Sequence, residues 1–211
     1  MPYLLYGARG SGSSIVEGAL MEAGADYGFH SIDLASQAQR SDAYASVNPH
    51  CKVPTLVGPD GETLTETVAI LMTLDERYPH AALLPPPGSR ERATALRWLM
   101  FAATELYPVV EIIDYPERFS GEKPCEAAVR EKAMQTWRTR FTTLEDVLAE
   151  GPFLLGSGFT VADLYFAVLS RWDLPSDWRS RHLPKLDRLA GAVAARPKLQ
   201  PLWQRNFPSS T

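Results

Sequence analysis

Residues 79–88 read PHAALLPPPG, with four prolines and a glycine in ten positions. Each proline removes a backbone N–H and fixes φ, so no helix interior or central strand runs through such a segment. The chain is therefore expected to fold as two pieces. Their boundaries are residues 1–79, a linker at 80–88, and residues 89–211.

Ahead of the prolines, strand-like and helix-like runs alternate. YLLY (3–6) is apolar and β-prone. SSIVEGALMEAG (13–24) places Ile15, Val16, Ala19, Leu20 and Ala23 at helical spacing and ends on Gly24, a C-cap residue type. YGFHSIDL (27–34) alternates as a strand does, and SQAQRSDAYASVNP (36–49) is polar and weakly helical up to Asn48-Pro49. PTLVG and ETLT flank the turn signal PDG and read as a hairpin. TVAILMTLDERYP (67–79) predicts a helix that stops at Pro79. The order is β-α-β-α-β-β-α, an α/β domain.

Beyond the prolines the pattern is helical almost throughout. Residues 89–115 predict one long helix bent at Pro108, and residues 124–150 predict a second. TVADLYFAVLSRW, KLDRLAGAVAA and PKLQPLWQR predict three more. The start at GFTVADLY is specified by four residues. Thr160 and Asp163 stand at the positions of a capping box, and Phe159 and Leu164 at those of a hydrophobic staple.

Composition narrows the function. A net charge of −4 gives no basic face for phosphates, so nucleic acid is not an expected partner. Cys51 and Cys125, the two cysteines, lie in no Cys-x-x-Cys or Cys/His cluster, so no metal is expected. No apolar run approaches the roughly 18 residues of a membrane span. The opening MPYLLYGARG is too short and too soon polar for a signal peptide. The expectation is a cytoplasmic protein with reduced thiols and no membrane partner.

Pro54 stands at the head of the PTLVG strand, where it cannot donate to a ladder. The stretches NPHCKVPTL, LTETVAIL and GFTVADLYFA, in this order and around a proline-rich linker, resemble the cytosolic, bacterial-type glutathione transferases. The resemblance spans nearly the whole chain. It implies a thioredoxin-like N-terminal domain and an all-helical C-terminal domain. It also implies that Pro54 is cis and that the Val53 N–H and C=O face the cleft, where they pair with the cysteinyl backbone of glutathione as an added strand would. By the same resemblance Thr67 binds the γ-glutamyl carboxylate at a helix N-terminus. Glu66 pairs with the α-ammonium, and Lys52 reaches the glycyl carboxylate. The family usually has Ser where this chain has Thr67, and the hydroxyl is kept.

The chemistry implied needs a thiolate. A free thiol with a pKa near 8.5 is only a few per cent ionised at pH 7, and lowering it by about two units takes roughly 2.7 kcal/mol. A hydroxyl donor and the positive end of a helix supply that kind of help. The loop YGARGSGSSIV offers Ser11, Ser13, Ser14 and Tyr6. Ser11 leads by its distance from Gly24; Ser13 and Ser14 also stand where they would cap the helix; Tyr6 ends the first strand, where tyrosine-type members carry their donor. The loop has no cysteine, which argues against the glutathione-dependent thiol oxidoreductases. It also lacks the Ser-x-Cys-Ser of the zeta-type isomerases. Cys51, beside Lys52, reads as a small packed residue, with a mixed disulfide to glutathione as the other reading.

From the long helix, Tyr107 and Phe101 are candidates to face a small hydrophobic electrophile, with Trp98 nearer to core packing. The expected function is glutathione S-transfer with glutathione as co-substrate, a detoxification chemistry, in a homodimer. Isomerase, dehalogenase and peroxidase activities need the same thiolate. The alternative is a non-catalytic module that holds glutathione or a protein on the same fold.

Overall fold

In the computed structural model residues 1–208 are described, and they form two compact units, 1–86 with 193–208 and 87–192. The first unit is built on a four-stranded sheet of order β2-β1-β3-β4. Strand β1 (Tyr3–Gly7) pairs parallel with β2 (Tyr27–Ser31) and antiparallel with β3 (Thr55–Val57), which pairs antiparallel with β4 (Thr63–Leu64). Alternation along β1 buries Tyr3, Leu5 and Gly7 on one face and turns Leu4 and Tyr6 to the other.

Helix α1 (Ser13–Ala23) is buried along almost its whole length. It ends where Gly24 takes φ 69°, a left-handed cap that favours glycine. The weakly helical stretch contracts to a 3₁₀ turn at Ala38–Arg40 and the short α2 (Asp42–Ala45), whose start is capped by the Ser41 hydroxyl. A polar sequence with Ser41 inside it and Asn48-Pro49 behind it has too few apolar positions to extend further. Helix α3 (Thr67–Arg77) follows the hairpin. Leu83 and Leu84 of the expected linker are buried, and the Leu84 N–H donates to Asp75 at 3.0 Å, so this unit runs on to Pro86.

The same unit takes in the end of the chain, which the sequence reading had grouped with the helical domain as far as residue 211. Arg196 makes two hydrogen bonds to Glu22, at 2.6 and 3.0 Å, and the Lys198 amine donates to the Glu22 carbonyl at 2.7 Å. Arg205, in helix α10 (Gln200–Asn206), pairs with Glu17 at 2.6 Å. Both carboxylates are buried on α1, and the arginines neutralise them there.

The second unit is helical. The expected single helix through 89–115 divides into α4 (Arg90–Phe101), a wider π turn at Ala102–Leu106, and α5 (Tyr107–Asp114). The Tyr107 N–H donates to the carbonyl of Ala102 across five residues. Pro108 lacks an N–H and its ring crowds the preceding turn, so the turn ahead of it widens instead of bending at the proline alone. Helix α6 (Glu126–Val147) buries Trp137, Phe141 and Leu144. Helices α7 (Val161–Leu169), α8 (Ser176–His182) and α9 (Pro184–Ala194) follow. The sequence reading had no α8; its run SDWRSRH is charged and carries no apolar stripe.

The capping box forms. Asp163 accepts the Thr160 N–H at 2.7 Å and the Thr160 hydroxyl at 3.0 Å, and its other oxygen accepts the Leu154 N–H at 2.6 Å. Burial pushes the Asp163 carboxyl up to about 6, against the pull of these hydrogen bonds. Of the staple pair, Leu164 is buried, and the Phe159 ring stands edge-on to Phe153 at 5.9 Å.

Candidate active site

The loop between β1 and α1 is folded around its own hydroxyls. Ser13 is 1% exposed. Its Oγ accepts the Ala8 N–H and donates to the Ala8 carbonyl, each at 3.0 Å, so it ties the loop to itself. Ser11 is half-buried. Its Oγ lies 2.8 Å from the Ala8 carbonyl and 2.9 Å from Ser13 Oγ, and it accepts the Ser13 N–H at 3.2 Å. A serine has one proton to donate, so Ser11 turns toward one of these acceptors or toward an incoming anion. Neither Ser13 nor Ser14 caps α1; Gly12 occupies that position without a side-chain bond. Ser14 Oγ is buried without a hydrogen-bond partner among the described residues.

Tyr6 is placed elsewhere. Its ring lies on the α2 face of the sheet, with centroids 4.9 Å from His30 and 5.8 Å from Tyr44. The loop brings Ser11 and Ser13 together and leaves Tyr6 on the other side of the strand.

The Val53-Pro54 peptide is cis. The β1–β3 ladder ends at Tyr6 and Thr55, and no hydrogen bond joins the Val53 N–H or C=O to another described residue. This backbone is free to pair with an extended peptide. Lys52 is exposed, and its carbonyl is fixed from behind, accepting the Tyr44 hydroxyl at 2.7 Å and the Asn48 amide at 2.8 Å. Thr55 Oγ1 closes the network with the same two side chains, at 2.9 and 3.0 Å, and Asn48 Oδ1 accepts the His50 N–H at 3.0 Å. Burial pushes the Tyr44 phenol up, which keeps it a donor. The sequence marks Asn48 as a helix stop and as the first residue of the NPHCKVPTL motif, but assigns no contact to it, to Tyr44 or to Thr55. Asn48 is 2% exposed, and a buried amide five residues from an open backbone is the signal that only the fold makes visible.

Glu66 precedes α3 with φ 64° and ψ 109°, a conformation a side chain strains to hold, and its carboxylate is exposed. Thr67, the first helical residue, is 7% exposed. The first-turn N–H groups of this 11-residue helix form a positive terminus. Cys51 also has positive φ, 53°, and its Sγ lies 3.8 Å from the Pro49 carbonyl. Among the described residues no three His, Cys, Asp or Glu side chains group as metal ligands, and no helix is long and apolar enough to cross a membrane.

In the helical unit Tyr107 is half-buried, edge-on to Trp172 at 5.5 Å and to Tyr165 at 6.5 Å. Phe101 packs edge-on against Trp98 at 5.3 Å, and Trp98 continues to Phe166 at 6.3 Å. Phe101 and Trp98 therefore join one aromatic stack of this unit.

Fold and site together define a thioredoxin-like α/β domain with an open-backbone peptide edge and a hydroxyl loop, joined to an all-helical domain. Comparison with known proteins takes this further. Residues 13–77 match the N-terminal domain model of glutathione S-transferases and residues 112–204 the C-terminal domain model. The chain belongs to the glutathione S-transferase family. It is 30% identical over 205 residues to the uncharacterized GST-like protein YncG of Escherichia coli K12, covering 96% of this chain and 97% of that one. It is 31% identical over 182 residues to glutathione S-transferase GstA of Escherichia coli O157:H7, covering 86% and 87%. A glutathione transferase homologue from Sulfitobacter, solved with bound glutathione, has the same fold, with a TM-score of 0.87 at 23% identity over 95% of this chain and 96% of that chain.

Proposed function

We propose that this chain ionises the thiol of glutathione at the β1–α1 loop and that Ser11 donates the hydrogen bond to the resulting thiolate. The observation that carries this is the pair of serines. Ser13 is buried and spent on Ala8, while Ser11 is half-buried and sits one residue before the α1 cap. Family membership and the neighbour with glutathione bound support glutathione as co-substrate and favour a transferase over a non-catalytic module.

The Val53 backbone pairs with the cysteinyl residue, Thr67 and the α3 terminus hold the γ-glutamyl carboxylate, Glu66 holds its ammonium, and Lys52 reaches the glycyl carboxylate. The unpaired Val53 groups and the strained Glu66 support these roles. The thiol proton passes to solvent, the sulfur lone pair forms a new C–S bond to a small apolar electrophile, and the leaving group departs or a proton adds. Tyr107 offers a polar tip to that electrophile. No covalent enzyme intermediate is needed; the protein orients and stabilises charge.

We place the protein in the cytoplasm as a homodimer serving detoxification. Sedimentation at the 23.4 kDa monomer mass alone would remove the dimer. The thiolate absorbance of bound glutathione, titrated in wild type and Ser11→Ala, tests the chemistry. A depressed thiol pKa that the variant loses supports the reading. Binding with no depression would return the protein to the class of binding modules.

A further inference from the structure

The catalytic loop is held from a second direction, by a residue near the end of the chain. The Gly10 N–H donates to Asn206 Oδ1 at 2.9 Å. The other end of the same amide, Nδ2, donates to the Leu202 carbonyl at 2.8 Å. Only one orientation of the amide satisfies both contacts, so the acceptor faces Gly10 without choice. Gly10 has φ 69°, the left-handed turn that lets its N–H point away from the loop, and a Cβ there would lie 3.7 Å from the Asn206 carbonyl.

Helix α10, which carries Asn206, is not free to drift. Arg205 is tied to Glu17 of α1 at 2.6 Å, and Tyr27 donates to the same carboxylate at 3.1 Å. The loop is thus pinned at Ala8 by Ser13 and at Gly10 by Asn206, and Ser11 is the next residue along.

We propose that Asn206 is a positioning residue for thiolate activation: its amide sets the Gly10 peptide and so the direction of the Ser11 hydroxyl. This rests on the reading of Ser11 as donor. A hydrogen bond to an anion is sharply directional, and a displacement of about 1 Å at a reacting group costs up to roughly a hundredfold in rate.

The test is thiolate absorbance of bound glutathione against pH, with steady-state kinetics on a generic aryl halide, for wild type, Ser11→Ala, Asn206→Leu and Arg196→Met. Arg196→Met breaks the tie to Glu22 at the other end of α1, away from α10 and Gly10. Expected for Asn206→Leu are a bound thiol pKa moved toward the free value and kcat down about tenfold, with KM for glutathione within about twofold. Arg196→Met should lower the melting temperature while leaving the bound thiol pKa in place. Should Asn206→Leu not fold, Asn206→Ala carries the same expectation. If Ser11→Ala abolishes the depressed pKa but Asn206→Leu keeps it, the positioning role is overturned and Ser11 stands. If Arg196→Met moves the pKa as far as Asn206→Leu does, the pKa follows general loosening of the domain, the amide is merely structural and the proposal is overturned. If Ser11→Ala leaves the pKa depressed, the donor assignment itself is wrong and the proposal goes with it.

Discussion

Two regions of this molecule anchor a helix with buried carboxylates, and they do it in opposite ways. At the head of α7, Asp163 holds the N–H of Thr160, three residues away, and that of Leu154, nine away. On α1, Glu17 and Glu22 are held by Arg205 and Arg196, 188 and 174 residues away. The first arrangement satisfies backbone donors with one carboxyl group and, among the described residues, has no counter-ion in its hydrogen bonds. The second neutralises two charges with two guanidinium groups. The local device specifies where a helix begins; the distant one decides which part of the chain packs on the sheet domain.

The largest effect is expected where the carboxyl group has no partner cation among the described residues. Asp163→Ala leaves two buried N–H groups without an acceptor, and hydrogen bonds to charged groups contribute about 1.5–3 kcal/mol each. A total loss of about 3 kcal/mol in urea unfolding is expected. Its pH dependence sharpens the point. The folded pKa, about 6, lies above the unfolded value near 3.8. The folded state therefore holds the proton more tightly, and this group's favourable contribution is full below about pH 4 and fades as pH rises through about 6. The cost of Asp163→Ala should be larger at pH 5 than at pH 7.5. An equal or smaller cost at pH 5 would mean that the carboxylate is already ionised and paired, as on α1.

That contrast explains what the sequence made readable. The capping box is written within four residues, so Thr160 and Asp163 announce it without any knowledge of the fold. The proline cluster and the hairpin turn are equally local, and with the helical spacing of Ile15 to Ala23 they give the element order. The clamp on α1 has no local signature: Arg196, Lys198 and Arg205 lie in and beside the last predicted helix, PKLQPLWQR, with nothing in the sequence to mark their partners. Residues 193–208 therefore looked like part of the helical domain. The π turn ahead of Pro108 and helix α8 were also hidden, one in backbone geometry and one in a charged run without periodicity. In the site the same division holds. Ser11, Val53 and Thr67 could be named from motifs, whereas Asn48, Tyr44 and Asn206 act through contacts that only the closed fold creates.

The distant clamp should cost less to break than the local box, because Arg196 is 30% exposed and water can reach the carboxylate it leaves. Arg196→Met is expected to lose about 2 kcal/mol, and the double variant with Glu22→Gln should recover part of it. Full additivity would show that the pair is crystal-clear in geometry yet uncoupled in energy. Asn48→Ala should come next, at about 1–2 kcal/mol, since it frees the partly buried Lys52 carbonyl of one donor and the buried Thr55 of another. Unlike the clamp variant, it should also raise KM for glutathione, because Val53 follows the carbonyl it releases.

The β1–α1 loop is where both kinds of anchor meet, so it gives the finest test. Ser13 is the local one, five residues from Ala8, and removing its hydroxyl leaves the Ala8 N–H short of an acceptor. Ser11 Oγ sits 2.8 Å from the Ala8 carbonyl, so that carbonyl still has a donor. Ser13→Ala is therefore expected to cost only about 1 kcal/mol in stability. Ser11→Ala should cost less than that in stability and far more in thiolate ionisation. The two serines are two residues apart and 2.9 Å from oxygen to oxygen, so a shared structural role would make their variants look alike. Thermal melts and thiolate titrations on the same pair of proteins separate the roles. If Ser13→Ala abolishes the ionisation while Ser11→Ala spares it, the buried hydroxyl, not the half-buried one, is the group that meets the sulfur, and the loop must open to let it.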